Sequence, residues 1–368
     1  MAHNIEIRNG VASFAENAKK ERAWHKLGEG QQIFDRPMFV NEALTACHAD
    51  YNVKLQPVVA LSDEVLNKVS AGEMISAEEI MNLIVPKRRA TMRTDLMRPL
   101  GVVGDGYGIV QNKTAFEFVD TLCSGKITDR DNTPVIETCG VLGNGERVFV
   151  TAKFPKRIVM DAKRDDLIEM YVVFTTSHDG TGAVKCVVTP VRTVCNNTLQ
   201  LALRDNIGRL SMRHSSGITQ RLDLMSKENA KFAYKTLNLY EVYESHFKEC
   251  IEHLKNVKVS EKQLDNILAN LALSEENIHT FRTSKNINHP DISSRGRNIF
   301  LNMKEAIHSS VGQDIQEKGT GLWVVNGVSS YFQNVANFTS NEKKFDSIMD
   351  GNAGKKVQMA MDLCLALQ

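Results

Sequence analysis

Residues 135–154 run Val135-Ile136-Glu137-Thr138-Cys139-Gly140-Val141-Leu142, then Gly143-Asn144-Gly145-Glu146, then Arg147-Val148-Phe149-Val150-Thr151-Ala152-Lys153-Phe154. Two runs rich in β-branched residues flank an Asn-Gly pair, the dipeptide that tolerates the positive φ of a tight hairpin turn, so the stretch predicts a β-hairpin. The pattern repeats downstream, where residues 169–176 and 183–191 flank Ser177-His178-Asp179-Gly180-Thr181-Gly182. Together the two pairs predict a four-stranded antiparallel meander. Residues 197–204, with Leu199, Leu201, Ala202 and Leu203, then predict a helix packed on one face of that sheet. The expected fold class is α+β, an antiparallel β-meander followed by a packing helix (a β-β-β-β-α core), with a mainly helical C-terminal half.

Outward from the core, residues 1–35 have the character of a partly extended leader around Trp24. Residues 40–48 and 63–84 have helical spacing, the second with Ser76 and Glu79 placed as a capping box and Pro86 as its stop. Gly104 to Val110 predicts a turn entering a short strand, and Thr114 a cap for a helix over 115–123. After a polar, basic connector at 208–221, long helical periodicity covers 226–275. Gly319-Thr320-Gly321 and Gly351-Asn352-Ala353-Gly354 precede helical segments at 322–335 and 357–367. The expected division is a leader with helices (1–99), an α+β core (100–221) and a helical C-terminal domain (222–368).

With 42% hydrophobic and 24% charged residues over 368 positions, the chain can bury a sizeable core, which excludes disorder as its main state. Seven cysteines without a C-x-x-C pair predict reduced thiols in a cytosol, and the absence of an apolar run of about 20 residues predicts a protein that does not span a membrane. No cofactor or metal is expected. Gly104-Asp105-Gly106-Tyr107-Gly108 lacks the Gly-Lys-Ser/Thr of a phosphate loop, and the ten His include no paired ligand spacing. Ser177, His178 and Asp179 stand side by side, whereas a catalytic triad converges from separate elements; a turn bent by Asp179-Gly180 is the favoured reading. Cys195, just before the expected helix, reads as a small buried thiol. The expectation is therefore a non-enzymatic protein.

A formal net charge of +1 conceals strong segregation. Residues 87–98 hold Lys87, Arg88, Arg89, Arg93 and Arg98 against Asp95, a balance of +4. Residues 185–221 hold Lys185, Arg192, Arg204, Arg209, Arg213 and Arg221 against Asp205, a balance of +5. Residues 237–276 compensate with eight acids against four lysines. Phosphate binding needs cations gathered together, so two basic clusters make nucleic acid the candidate partner. Asn196, Asn197 and Thr198, at the expected helix N-terminus, would add neutral donors for phosphate oxygens, and Tyr107, Tyr171 and Phe174 are the candidates for base stacking.

Several blocks carry a family likeness: Gly106-Tyr107-Gly108-Ile109-Val110-Gln111-Asn112; Glu137-Thr138-Cys139-Gly140 with Gly145-Glu146-Arg147-Val148; Thr176-Ser177-His178-Asp179-Gly180; and Thr189-Pro190-Val191-Arg192-Thr193-Val194-Cys195-Asn196-Asn197-Thr198-Leu199. With Trp24-His25-Lys26-Leu27-Gly28 and residues 319–328, they resemble the phage/plasmid-like domain-of-unknown-function family of mobile elements. The resemblance implies a mobile-element protein acting in a bacterial cytoplasm. More remotely, a meander followed by a helix is similar to the core of the single-strand annealing recombinases of phages, the Redβ and Erf class, which implies a homo-oligomer, a ring among its forms, that binds single-stranded DNA or RNA without consuming nucleotide. The candidate contacts are then Lys185, Arg192, Asn196, Asn197, Arg204, Arg209 and Arg213, with Lys87, Arg88, Arg89 and Arg93 as a second strip. The alternative expectation is an interaction protein that engages a host factor, for instance a defence protein, through its helical half.

Overall fold

The structure, a computed structural model, describes residues 5–17, 32–124, 133–161, 166–192, 197–198, 209–218, 229–310, 313, 318–339, 343–344, 347–348 and 351–367. A short hairpin, β1 (Ile7–Arg8) and β2 (Val11–Ala12), leads into β3 (Phe14–Asn17), β4 (Gln32–Phe34) and helix α1 (Val40–Ala46). β5 (Val53–Val59), β6 (Ile84–Arg93) and β7 (Arg98–Gly104) form a separate three-stranded antiparallel sheet, with helices α2 (Asp63–Ser70) and α3 (Ala77–Asn82) inserted between its first two strands. After α4 (Asn112–Leu122) comes the meander of β8 (Val135–Leu142), β9 (Arg147–Asp161), β10 (Asp166–Ser177) and β11 (Val184–Arg192). Short strands β12 (Asn197–Thr198) and β13 (Arg209–Met212) both pair with β11. The C-terminal half is helical: α5 (Asn229–Asn256), α6 (Glu261–Ala272), α7 (Glu275–Ser284), α8 (Ser294–Ser309), α9 (Gly321–Ser330), which runs on into a π turn, and α10 (Asn352–Leu365).

The meander forms because its apolar residues alternate. Val148, Val150, Ala152 and Phe154 on β9 and Ile168, Met170, Val172 and Phe174 on β10 point into one core, where α1, α4 and α5 cover the sheet. Phe118 of α4 meets Phe174 edge-on with ring centroids 5.0 Å apart. Each such aromatic, removed from water, contributes about 1.5–3 kcal/mol. β3 extends the sheet beside β8 and is itself flanked in parallel by β4, so part of the expected leader belongs to the central sheet; the Trp24 stretch lies outside the described residues. In the helical half, α9 is buried along its whole length. Its Asn326 donates to Gln313 Oε1 (2.6 Å), while Gln313 Nε2 donates to the carbonyls of Ile307 and Trp323.

Several local expectations change. Asn197 does not start a helix: it pairs with Arg192 as a strand, and residues 199–204 lie outside the described residues. The helical stretch at 63–84 is two helices parted at Gly72, the second opened by the Ser76–Glu79 capping box as expected, and Pro86 sits within β6. Gly104 ends a strand instead of opening one, and Gln111, not Thr114, occupies the N-cap of α4. The Gln111 amide instead closes the edge of β5, accepting from Val53 N and donating to Val53 O. The periodicity of 226–275 breaks near Lys258, whose backbone bridges Thr320, and Ser260 with Gln263 caps α6. The expected boundary at 99/100 falls inside β7.

Candidate nucleic-acid interface

β6 carries the first basic cluster, and its two ends have opposite surroundings. Lys87, Arg88 and Arg89 are exposed and make no ion pair among the described residues. Arg93, expected to join them, is fully buried and is not available to a phosphate. Its Nη1 donates to Glu6 Oε1 (2.6 Å) and Asn144 O (3.1 Å), its Nη2 to Asp95 Oδ2 (3.1 Å) and His48 O (3.3 Å), and its Nε to Asp95 Oδ1 (2.8 Å). All five donors of the guanidinium are thus used, and Cζ lies 3.9 Å above the Tyr51 ring, a cation–π contact. Arg93 is a bolt that joins the three-stranded sheet to the N-terminal hairpin and to the β8–β9 turn. Gly145 in that turn has φ +109, and a Cβ there would stand 2.7 Å from Arg93 Nη1, so glycine is required on both counts.

The Ser177–Gly182 loop closes the other side of this junction. Ser177 Oγ, Thr181 N and Thr181 Oγ1 all donate to Asp179 Oδ1 at 2.6–2.9 Å, an Asx turn that bends the chain as expected. Burial opposes the Asp179 carboxylate, yet these hydrogen bonds outweigh it and hold its pKa below the usual range. His178 points away from both neighbours. Asn112 Nδ2 donates to Ala49 O, so Asn112 Oδ1 is an acceptor and His178 Nε2, 2.8 Å from it, carries the proton. His178 Nδ1 is then a bare lone pair, buried without a partner. Burial, with a smaller contribution from His214, depresses the His178 pKa to about 3, so the ring is neutral at physiological pH. Ser177 Oγ donates to Asp179 and His178 bonds Asn112, so the three side chains are not linked in the serine–histidine–aspartate order of a triad.

The loop lies on β7. A Cβ on Gly101 would stand 2.5 Å from Asp179 O, so only glycine permits this approach. From β7 a chain of backbone contacts leads to the second basic cluster. Arg88 faces Gly104 in the β6–β7 register, Tyr107 N donates to Gly104 O (3.1 Å), and Gly108 N donates to His214 O (3.5 Å), next to exposed Arg213. Tyr107 stacks on His214 with centroids 4.9 Å apart and planes at 11°, while its hydroxyl donates to Ser177 O (3.1 Å). Arg88 and Arg213 are therefore linked through the backbone to one half-buried aromatic pair. His214 was not singled out in the sequence; only its proximity to Arg213 marks it there.

The remaining candidates are placed less directly. Lys185 is half-buried on β11 opposite Ser211 and engages a partner. Arg192 pairs with Asn197 and Arg209 with Val187 through the backbone; their side chains, and Asn196, Arg204 and Cys195 altogether, lie outside the described residues. Tyr171 and Phe174 are core residues, exposed by 3% and 1%, and cannot stack on bases. Tyr171 instead donates to Glu169 Oε2 (3.0 Å) in a cross-strand ion cluster where Lys153 Nζ lies 2.5 Å from Glu169 Oε1 and Arg157 3.2 Å from it.

A family model described as "Domain of unknown function (DUF932)" matches residues 99–349. The chain belongs to the DUF932 family. No curated protein and no solved structure matches it. The DUF932 region takes in the meander, the Ser177–Gly182 loop, Tyr107, Arg213 and helices α4 to α9. It begins on β7, so β5 and β6, with Lys87, Arg88, Arg89 and the Arg93 bolt, precede the DUF932 match although they share a sheet with its first strand. Among the described residues no group of three or more His, Cys, Asp or Glu is placed to hold a metal ion, and no helix is long and apolar enough to cross a membrane.

Proposed function

We propose that this DUF932 protein binds single-stranded nucleic acid, and that it does so as a non-enzymatic, self-associating protein of a bacteriophage or related mobile element, with strand annealing in recombination as its process and a bacterial cytoplasm as its setting. The observation that carries the reading is the backbone path that links exposed Arg88 and Arg213 to the stacked Tyr107–His214 pair. Cations spaced around an aromatic surface suit a strand whose phosphates and bases are both accessible. Lys87 and Arg89 extend the cationic strip along β6. A strand held this way needs no nucleotide cofactor, in keeping with the missing phosphate loop.

Fluorescence anisotropy of a labelled single-stranded oligonucleotide tests the proposal, with the duplex of the same sequence as the comparison. The expected result is binding at low ionic strength that prefers the single strand, is weakened by Arg88→Ala with Arg213→Ala, and is accompanied by faster annealing of complementary strands without nucleotide. Absence of binding at low salt, or equal binding by that double variant, overturns it.

A further inference from the structure

The helical insert between β5 and β6 is packed on the body at few points. α3 has no buried residue and α2 only Val65, while Leu61, Leu66, Val69, Met74, Ile80 and Met81 are all exposed, Met74 by 96% and Met81 by 66%. The tip is nonetheless preformed: Lys68 Nζ lies 2.5 Å from Glu79 Oε1, tying α2 to α3, and Ser76 and Glu79 close the capping box. Around its apolar residues stand Asp63, Glu64, Glu73, Glu78 and Glu79 against Lys68 alone, a balance of −4.

The opposite end of the same strand has complementary chemistry. At the β6–β7 turn, Leu96 and Met97 are exposed by 41% and 70% and Ile7 of the neighbouring hairpin by 65%; exposed Arg98 closes the turn, and exposed Lys54 faces Met92 in the strand that leads into it. The one acid of that turn, Asp95, is already neutralised by Arg93 and by Arg8 (2.9 Å). β6 has ten residues, so tip and turn are separated by roughly 30 Å along it. Exposed apolar surface rimmed by charge marks an interaction site, and two unlike patches at opposite ends of one strand cannot meet each other within a copy.

We propose that the acidic, apolar α2–α3 tip docks on the basic, apolar β6–β7 turn of a second copy of this chain, a head-to-tail contact. Such a contact is heterologous: each copy uses one patch and leaves the other free, so it generates a closed ring or an open filament. The docking leaves Lys87, Arg88 and Arg89, which lie between the two patches, uncovered, and it stands apart from the nucleic-acid reading.

Sedimentation velocity over a concentration series tests it, on protein freed of nucleic acid by nuclease and high salt. A tip variant, Met74→Lys with Met81→Lys, and a turn variant, Leu96→Asp with Met97→Asp, alter exposed side chains, and circular dichroism with thermal melting verifies that each folds. The wild type is expected to self-associate, more weakly as salt rises, and each variant alone to associate at least about tenfold more weakly. An equimolar mixture of the two variants is expected to form a 1:1 dimer that grows no further, because one intact tip meets one intact turn. A wild type that is monomeric throughout, folded variants that associate as the wild type does, or a mixture that stays monomeric overturns the proposal; a single variant that keeps the wild-type association assigns the contact to like patches instead.

Discussion

Arg89 and Arg93 stand four residues apart on β6, carry the same charge, and differ in every physical respect. Arg89 is exposed and unpaired among the described residues; Arg93 is sealed between Glu6, Asp95, Asn144, His48 and the face of Tyr51. What separates them is the supply of partners. The N-terminal hairpin and the β8–β9 turn reach only the end of the strand where Arg93 lies, and desolvating a guanidinium is tolerable only where every donor finds an acceptor. One end of β6 therefore holds the molecule together, and the other is left to meet something outside it.

The sharpest way to break this comparison is Arg93→Met, which leaves Glu6 buried and unpaired. Its expected cost is about 3–5 kcal/mol of unfolding free energy, read by urea denaturation, with Glu6→Gln in the same chain recovering part of it. Gly101→Ala comes next: its Cβ would collide with Asp179 O, and displacing that loop is expected to cost about 1–3 kcal/mol.

His178 extends the comparison to pH. Its folded pKa of about 3 lies below the ordinary 6.5, so the unfolded chain takes up the proton first as pH falls. The stability of the native state is thus full above pH 6.5 and falls toward pH 3, its slope approaching about 1.4 kcal/mol per pH unit from this one group. His178→Gln, which keeps a donor for Asn112, is expected to flatten the difference between urea midpoints at pH 6 and pH 4; equal slopes in both proteins would show that His178 is not the titrating group. The smallest effect on stability belongs to Lys87→Ala, Arg88→Ala and Arg89→Ala, each within about 0.5 kcal/mol of the wild type in the same denaturation experiment.

The same contrast explains what the chain discloses in its sequence. The meander is legible because alternation over residues 135–154 and 169–191 is a local property; three of its strands fall within a few residues of the expected limits, while β9 runs on from the expected end at Phe154 to Asp161. The capping box at Ser76 and Glu79 is equally local. The three-stranded sheet is not legible, since β5 contains Pro57 and β6 contains Pro86 followed by three cations, and the consecutive exposure of residues 86–89 on both faces removes the apolar alternation that marks a strand. Arg93 cannot be told from Arg89 in the sequence because Glu6, its partner, is 87 residues away. The stacked pair is illegible for the same reason: Tyr107 and His214 meet only because β13 pairs with β11.

The most direct test measures binding and folding on the same proteins. For wild type and for the triple variant Lys87→Ala, Arg88→Ala, Arg89→Ala, the affinity for a single-stranded oligonucleotide is followed against salt, alongside a urea unfolding curve. Each phosphate contact to a single strand contributes about 0.7 to the slope of log K against log salt, so the triple variant is expected to lose up to about 2 from that slope while its urea midpoint stays where it was. A wild type that does not bind at low salt, or a triple variant with an unchanged slope, contradicts the assignment of this end of β6 to nucleic acid.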